Sequence, residues 1–396
     1  MIKPENFLSR GIGFLVVKKL HSFQRIVLHL SLIDGVGPAT IAACLNSIEK
    51  SLLLDFYTFT VNDFVHHCKL SPKKAETIVK GLSDISLLEK ELELLQKHSI
   101  GLTTILDDDY PEFLAEIAVP PAVFYWYGQP LGDLSSSLAI VGSRAMNRYG
   151  KMAIEMVVPS LVDNGWTIIS GGALGVDSYA HQVTLREKGR TIVVLGSGIL
   201  SPYPFSNKKL FREVVENGGT IISVFPLKMA AKPGNFPARN RIISGLSRGC
   251  LVVQAAKKSG ASITARYALE QGRDVFTVPG PIDDPLSAGC HSLIKQGAVL
   301  VQSVEDIYEE YGILVEKVQI KQENRPKRAK ITEKEVKKAR NLDLQSEKII
   351  SSCFMHKSLD EIAQETNIES DVLCNKLFDL QLEGLICQEM GLWKRL

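Results

Sequence analysis

The sequence predicts an α/β fold, a parallel sheet covered by helices on both faces, and two observations carry that prediction. From residue 101 to 312 short apolar, largely β-branched runs recur: Leu138 to Val141, Thr167 to Ile169, Thr191 to Leu195, Thr220 to Phe225, Cys250 to Val253 and Asp274 to Val278. Each run is closed by Gly, Ser, Pro or Gln and followed by a segment of helix length. Strands alternating with helices make right-handed βαβ crossovers, and strands buried on both faces read as continuous apolar stretches rather than alternating ones. The expected arrangement is Rossmann-like.

At 396 residues the chain exceeds one ordinary core, so further domains are expected around this one. Residues 1–100 read as helical, with apolar residues at helical spacing in Ile26 to Leu32, Ile41 to Leu54 and Ile85 to Leu95. Between the first two, Gly35 and Gly37 flank Val36, and Pro38 stands in the first turn of the next helix, which leaves that helix's N–H groups available. This segment resembles a helix-hairpin-helix, giving a helix-hairpin-helix or SAM-like domain; because no lysine or arginine lies within it, a plain helical turn explains it equally well. After the α/β domain at 101–312 comes a basic linker, 313–342, poor in apolar residues and unable to bury enough surface to order itself. Lys327, Arg328 and Lys330 in it serve either as nonspecific phosphate contacts or as a solvated spacer. Residues 343–396 show helical spacing in Ile349 to Phe354, Leu359 to Thr366 and Val372 to Leu382, then two short strand-like runs, which together suggest a winged helix. Its candidate recognition helix has Lys376 as its only cation, which disfavours DNA reading by that helix.

Composition fits globular domains, with 45% hydrophobic and 23% charged residues. The net charge of +2 is uneven: residues 316–340 carry ten Lys/Arg against four Asp/Glu, a local +6 that leaves −4 elsewhere. Any affinity of the folded parts for a polyanion must therefore come from a local patch. The seven cysteines form no CxxC pair, which fits reduced thiols and argues against a zinc site. The apolar stretch Ile12 to Val17 is too short to span a bilayer and has no cleavage site behind it, so a cytoplasmic protein without membrane partners is expected.

In an open parallel sheet, ligands lie beyond the carboxyl ends of the strands. There the sequence places Gly142-Ser143-Arg144, Ser170-Gly171-Gly172, Gly196-Ser197-Gly198, Gln254 and Pro279-Gly280. Glycines let backbone approach a ligand, and Arg144 stands at the mouth of the first βα turn, where a phosphate would lie or where it would pair within the fold. Downstream, Arg239 and Arg241 offer forks of donors for phosphate oxygens, Asn240 a base-edge partner and Phe236 a stacking face, a set suited to a polyanion carrying flat bases. The bland alternative is that these residues cap a helix or fill a satellite core. No GxGxxG follows the first of these strand runs, which disfavours a dinucleotide cofactor, and none is expected.

Several motifs in order, Ile140-Val141-Gly142-Ser143-Arg144, Ser170 to Asp177 with Ala180-His181, Tyr203-Pro204, Phe236 to Ile243, Ser259-Gly260 with Thr264-Ala265, and Val278-Pro279-Gly280, resemble the DprA/Smf family of DNA-processing proteins. The resemblance implies a protein, not an enzyme, that binds incoming single-stranded DNA in natural transformation, protects it, helps load the RecA recombinase and forms homodimers. It also implies that Arg144, Lys232, Phe236, Arg239 and Arg241 form the single-strand groove, with Gly171 and Gly172 on its floor. The sequence departs from the family pattern at Val224 and Gln254, where glutamates are expected, and at His291, where asparagine is usual; losing two carboxylates weakens metal or acid–base proposals there. The competing readings are a LOG-like nucleoside monophosphate hydrolase and a scaffold that binds no DNA. The hydrolase needs a glutamate that Lys258 to Ala265 lacks; Asp177 and His181, four apart on one helix, offer it an acid–base pair or else make helix-start or packing hydrogen bonds.

Overall fold

A computed structural model describes residues 20–313, 343–353, 357–382, 385–389 and 392–395. The basic linker and the stretch Ile12 to Val17 lie outside the described residues. The chain falls into two compact units, divided at residue 315.

The first unit opens with helices α1 (Ser22–Leu32), α2 (Pro38–Ser47), α3 (Val61–Cys68), α4 (Pro72–Ser83) and α5 (Ser86–His98). The hairpin between α1 and α2 forms as its glycines and proline predict: Gly35 has φ +78°, Gly37 caps α2 and Pro38 is its first residue. The cation missing from the hairpin sequence comes from α4, where Lys74 Nζ donates to the Gly35 carbonyl at 2.5 Å. One expected helix does not run through. After Ser47 the chain turns extended at Ile48, and Lys50–Tyr57 continue as a 3₁₀ helix that drops Leu53 and Phe56 into the core.

Nine strands follow: β1 (Gly101–Thr104), β2 (Val123–Gly128), β3 (Ser137–Val141), β4 (Thr167–Ser170), β5 (Thr191–Val194), β6 (Thr220–Ser223), β7 (Gly249–Val252), β8 (Asp274–Thr277) and β9 (Val299–Leu300). They lie in the order β1-β2-β6-β5-β4-β3-β7-β8-β9. The pairings from β6 through β9 are parallel, whereas β1 pairs with β2, and β2 with β6, antiparallel. The intervening helices are α6 (Glu112–Ala115), α7 (Arg148–Asp163), α8 (Val176–Arg186), α9 (Lys208–Glu216), α10 (Asn235–Gly245), α11 (Gly260–Glu270), α12 (Ala288–Lys295) and α13 (Glu305–Glu310).

The sheet is covered on both faces, and its strands show it by alternation. Along β3, Leu138 and Ile140 pack with residues of α7, α8 and α13, whereas Ala139 and Val141 pack with residues of α10 and α11. The helices α1–α5 share a third buried cluster with β1, β2, β5 and α9. Chain order runs β3-β4-β5-β6 toward one edge, then returns to the other side of β3 with β7-β8-β9. That reversal between β3 and β7 is the point where open α/β sheets hold ligands.

The second unit comprises α14 (Leu344–Ser352), α15 (Leu359–Thr366), α16 (Ser370–Leu382) and an antiparallel pair, β10 (Ile386–Glu389) with β11 (Leu392–Arg395). Asp343 and Ser358 cap α14 and α15 through their side chains, and Ile349, Ile362, Leu373 and Leu377 fill its core. Lys376 is held in an ion pair with Asp343.

Candidate nucleic-acid interface

At the reversal between β3 and β7 lies a cleft of about 240 Å³. Its walls are the Val141-Gly142-Ser143-Arg144 turn after β3, the first turn of α10 and the first turn of α11. The β3 turn is fixed from both sides: Ser143 N–H donates to the Gln254 carbonyl at 2.7 Å, and the Ser143 carbonyl accepts from Val176 N–H at 3.1 Å. Gly175, with φ +79°, lets the start of α8 come this close, since a Cβ there would strike the Ser143 carbonyl. Held so, the turn projects Arg144 into solvent. Its guanidinium lies 5.6 Å from the centroid of the Phe236 ring.

Phe236 is the hub of the cleft. Arg144 stands over it, the buried Arg239 guanidinium lies 6.0 Å from its centroid, and the exposed Tyr203 ring sits 5.7 Å away at 60°. A smaller depression shares Arg144, Phe236 and Arg239 with the cleft and extends it along Gly171, Leu174 and Tyr203. Together they offer an exposed cation, two aromatic faces and the first turns of two helices, a combination that attracts an anion and receives flat rings beside it.

The structure assigns the expected site residues to different places. Gly142, Ser143, Arg144, Phe236, Asn240 and Gly171 line the cleft or its extension, and Asn240 Nδ2 donates to the Gly260 carbonyl at 3.3 Å. Arg239 also lines it but is not an open fork of donors. It is 4% exposed, and its Nη1 donates to the Gly171 carbonyl and, at 2.8 Å, to the Val194 carbonyl. A Cβ at residue 171 would occupy the place of that Nη1, so glycine is required there. Burial lowers the Arg239 pKa to about 10 against the pull of Asp177.

Three of the expected groove residues lie outside the Arg144 cleft. Arg241 turns away from the cleft, and its Nη1 is held by the Val119 carbonyl. Gly172 is buried with φ +63°, against Phe211 and Val193 rather than the groove floor. Lys232 lines a separate cleft beside α5. Tyr203 was legible only as part of a Tyr-Pro motif, since its nearness to Phe236 depends on the meeting of two distant loops.

Asp177 and His181 are both buried and engaged elsewhere. Asp177 accepts from Ala173 N–H at 3.3 Å, and burial raises its pKa against the opposing effect of Arg239. His181 Nδ1 lies 2.7 Å from the Thr191 hydroxyl. At the departures, Gln254 uses its amide in a way a carboxylate cannot. Nε2 donates to Asn147 Oδ1 at 2.8 Å while Oε1 accepts from Asn147 N–H at 3.2 Å, which fixes the cap of α7 next to the Arg144 turn. His291 Nε2 donates to the Gly280 carbonyl at 3.0 Å, and Val224 is a half-buried packing residue.

A family model described as DNA recombination-mediator protein A matches residues 101–312. Protein Smf of Escherichia coli strain K12 is 47% identical over 199 residues, 50% of this chain and 53% of the relative. DNA processing protein DprA of Streptococcus pneumoniae strain R6 is 41% identical over 233 residues, 58% of this chain and 78% of the relative. The match thus spans about half of the Escherichia coli relative's length. The X-ray structure of DNA processing protein A from Streptococcus pneumoniae superposes with a TM-score of 0.63 at 34% identity, covering 74% of this chain and 98% of that one. No helix among the described residues is long and apolar enough to cross a membrane.

Proposed function

Because this chain belongs to the DNA recombination-mediator protein A family, the DprA and Smf proteins, we propose that the cleft at the β3–β7 reversal holds single-stranded DNA and that the protein is a recombination mediator rather than an enzyme. In this reading it shields incoming strands in the cytoplasm, passes them to the RecA recombinase, and acts as a homodimer. On the same reading the helices before residue 101 make up a helix-hairpin-helix or SAM-like domain, 101–312 is the DNA-holding domain, and the helices and strand pair after residue 342 make up a winged helix. The pairing of Lys376 with Asp343 favours protein contact over DNA reading by α16.

The observation that carries the proposal is the exposed Arg144 guanidinium beside the Phe236 ring. An arginine facing solvent at a strand end meets phosphate, and a ring beside it receives the attached base whatever its identity. Titration of labelled single- and double-stranded oligonucleotides should give tighter single-strand binding with little sequence choice, and a log–log salt slope of about −0.7 per neutralised phosphate. Arg144→Ala should weaken binding by roughly 1.5–3 kcal/mol with no change in melting. Equal or tighter duplex binding, or affinity indifferent to salt, ends the proposal.

Phe236 separates stacking from charge. Phe236→Leu keeps apolar volume but loses the ring face, and is expected to cost about 1–3 kcal/mol of single-strand affinity while leaving the salt slope unchanged. Phe236→Trp should bind nearly as the parent does. If leucine binds as well as phenylalanine, the ring only fills a pocket.

A further inference from the structure

A second cleft, of about 590 Å³, lies between α5 and the loop that leads from β6 to α10. On α5 it is lined by Leu87, Lys90, Glu91, Glu93, Leu94 and Lys97, of which all but Glu93 fall three, one, three and three apart along one face of the helix. Across from them stand Lys228 and Lys232. All four lysines are exposed, and none of them makes an ion pair among the described residues. Of the two carboxylates in the wall, Glu93 is exposed and sets one negative charge against the four lysines, whereas Glu91 is buried and accepts the Leu227 N–H at 2.7 Å, so its charge is turned into the fold. Cations therefore dominate the open side, above an apolar floor that includes Leu94 and Met229.

The two clefts share one loop. Asn235 Nδ2 reaches Met229 Sδ at 3.7 Å and the Gly196 carbonyl at 3.2 Å, and Gly196 lies against the Phe236 ring. Lys228, Met229, Ala230 and Lys232 thus line the lysine cleft while Phe236 and Pro237, further along, line the Arg144 cleft. From this continuity we infer that the lysine cleft is an extension of the DNA path: a strand held at Arg144 and Phe236 continues past Lys232 and Lys228 onto the Lys90 and Lys97 face of α5. Lysine is a mobile point charge without a planar fork, so it tracks a phosphodiester backbone without selecting bases. The inference rests on the single-strand reading of the Arg144 cleft and adds to it a length requirement.

The test uses the full chain, labelled oligothymidylates of roughly five and roughly 25 nucleotides, lengths that bracket single-strand site sizes, and two double variants. With Lys90→Gln/Lys97→Gln the short oligonucleotide should bind as to the parent, whereas the long one should bind more weakly with its log–log salt slope reduced by about 1.4, the value for two lost phosphate contacts. Lys90→Arg/Lys97→Arg, which keeps both charges, should restore the long-strand slope. Unchanged binding of the long oligonucleotide overturns the inference, and so does an equal loss at both lengths. A parent protein that binds neither length, or binding indifferent to Arg144→Ala, overturns the single-strand reading itself and this extension with it.

Discussion

Replacing Arg239 by alanine is expected to lower the stability of the first unit by about 3–5 kcal/mol, the cost of breaking a buried charge arrangement from one side. Arg239 is 4% exposed and its Nη1 serves the Gly171 and Val194 carbonyls. Burial lowers its pKa only to about 10, so it is a cation at neutral pH. Without it, two carbonyls lose their donor and the buried Asp177 loses its nearby opposite charge, which is one of the influences holding its carboxyl pKa down. Urea unfolding should show the midpoint falling sharply. A second variant identifies the cause: Arg239→Met with Asp177→Asn removes both charges and should recover part of the loss, because replacing both members of a buried arrangement is far less costly than orphaning one. Arg144→Ala, at an exposed position, should leave the midpoint where it was. If Arg239→Ala also unfolds at the parent's midpoint, the residue is no structural cation.

The contrast between these two arginines marks where the sequence stops being informative. Six of the nine strands were legible because each is a short apolar run, buried on both faces and closed by a breaker. The three not foreseen lie at or near the edges. β2, Val123–Gly128, is aromatic rather than β-branched and runs antiparallel, and β9 has two residues. Helices α3 and α4 lie within the stretch that reads as helical but outside its three named runs, because few residues, such as Phe64, Ala75 and Ile78, carry their apolar faces. Within the site, the turn residues Gly142, Ser143 and Arg144 were legible because their role is set locally by a strand end. The roles of Arg239 and Arg241 were not. Their carbonyl partners lie 68, 45 and 122 positions away in the chain, and no local pattern encodes a partner at that distance. Lys232 is only four residues from Phe236, yet the turn between them sends the two side chains into different clefts.

Acid should destabilise the protein through His181 well before the carboxylates with ordinary pKa values titrate. The Thr191 hydroxyl donates to the Ile168 carbonyl at 2.8 Å, so it must accept from His181 Nδ1–H, which fixes the neutral tautomer with a bare Nε2. That Nε2 is buried and has no hydrogen-bond partner among the described residues. Adding a proton there would place a charge in an apolar site, and accordingly burial, with Arg239 adding repulsion, lowers the pKa from 6.5 to about 3. The unfolded chain then binds the proton more readily than the folded one. The stabilisation is fully present above pH 6.5 and is lost as pH falls toward 3, about 4–5 kcal/mol over that window. Asp177, whose pKa is raised, acts in the opposite sense, since its burial penalty grows as pH rises through its folded pKa. His181→Gln keeps an amide donor for Thr191 and cannot acquire charge. Urea midpoints measured from pH 8 to pH 4 should therefore fall steeply for the parent and much less for the variant, even if the variant starts lower at pH 8. Parallel pH profiles for the two proteins would show that the acid sensitivity resides elsewhere.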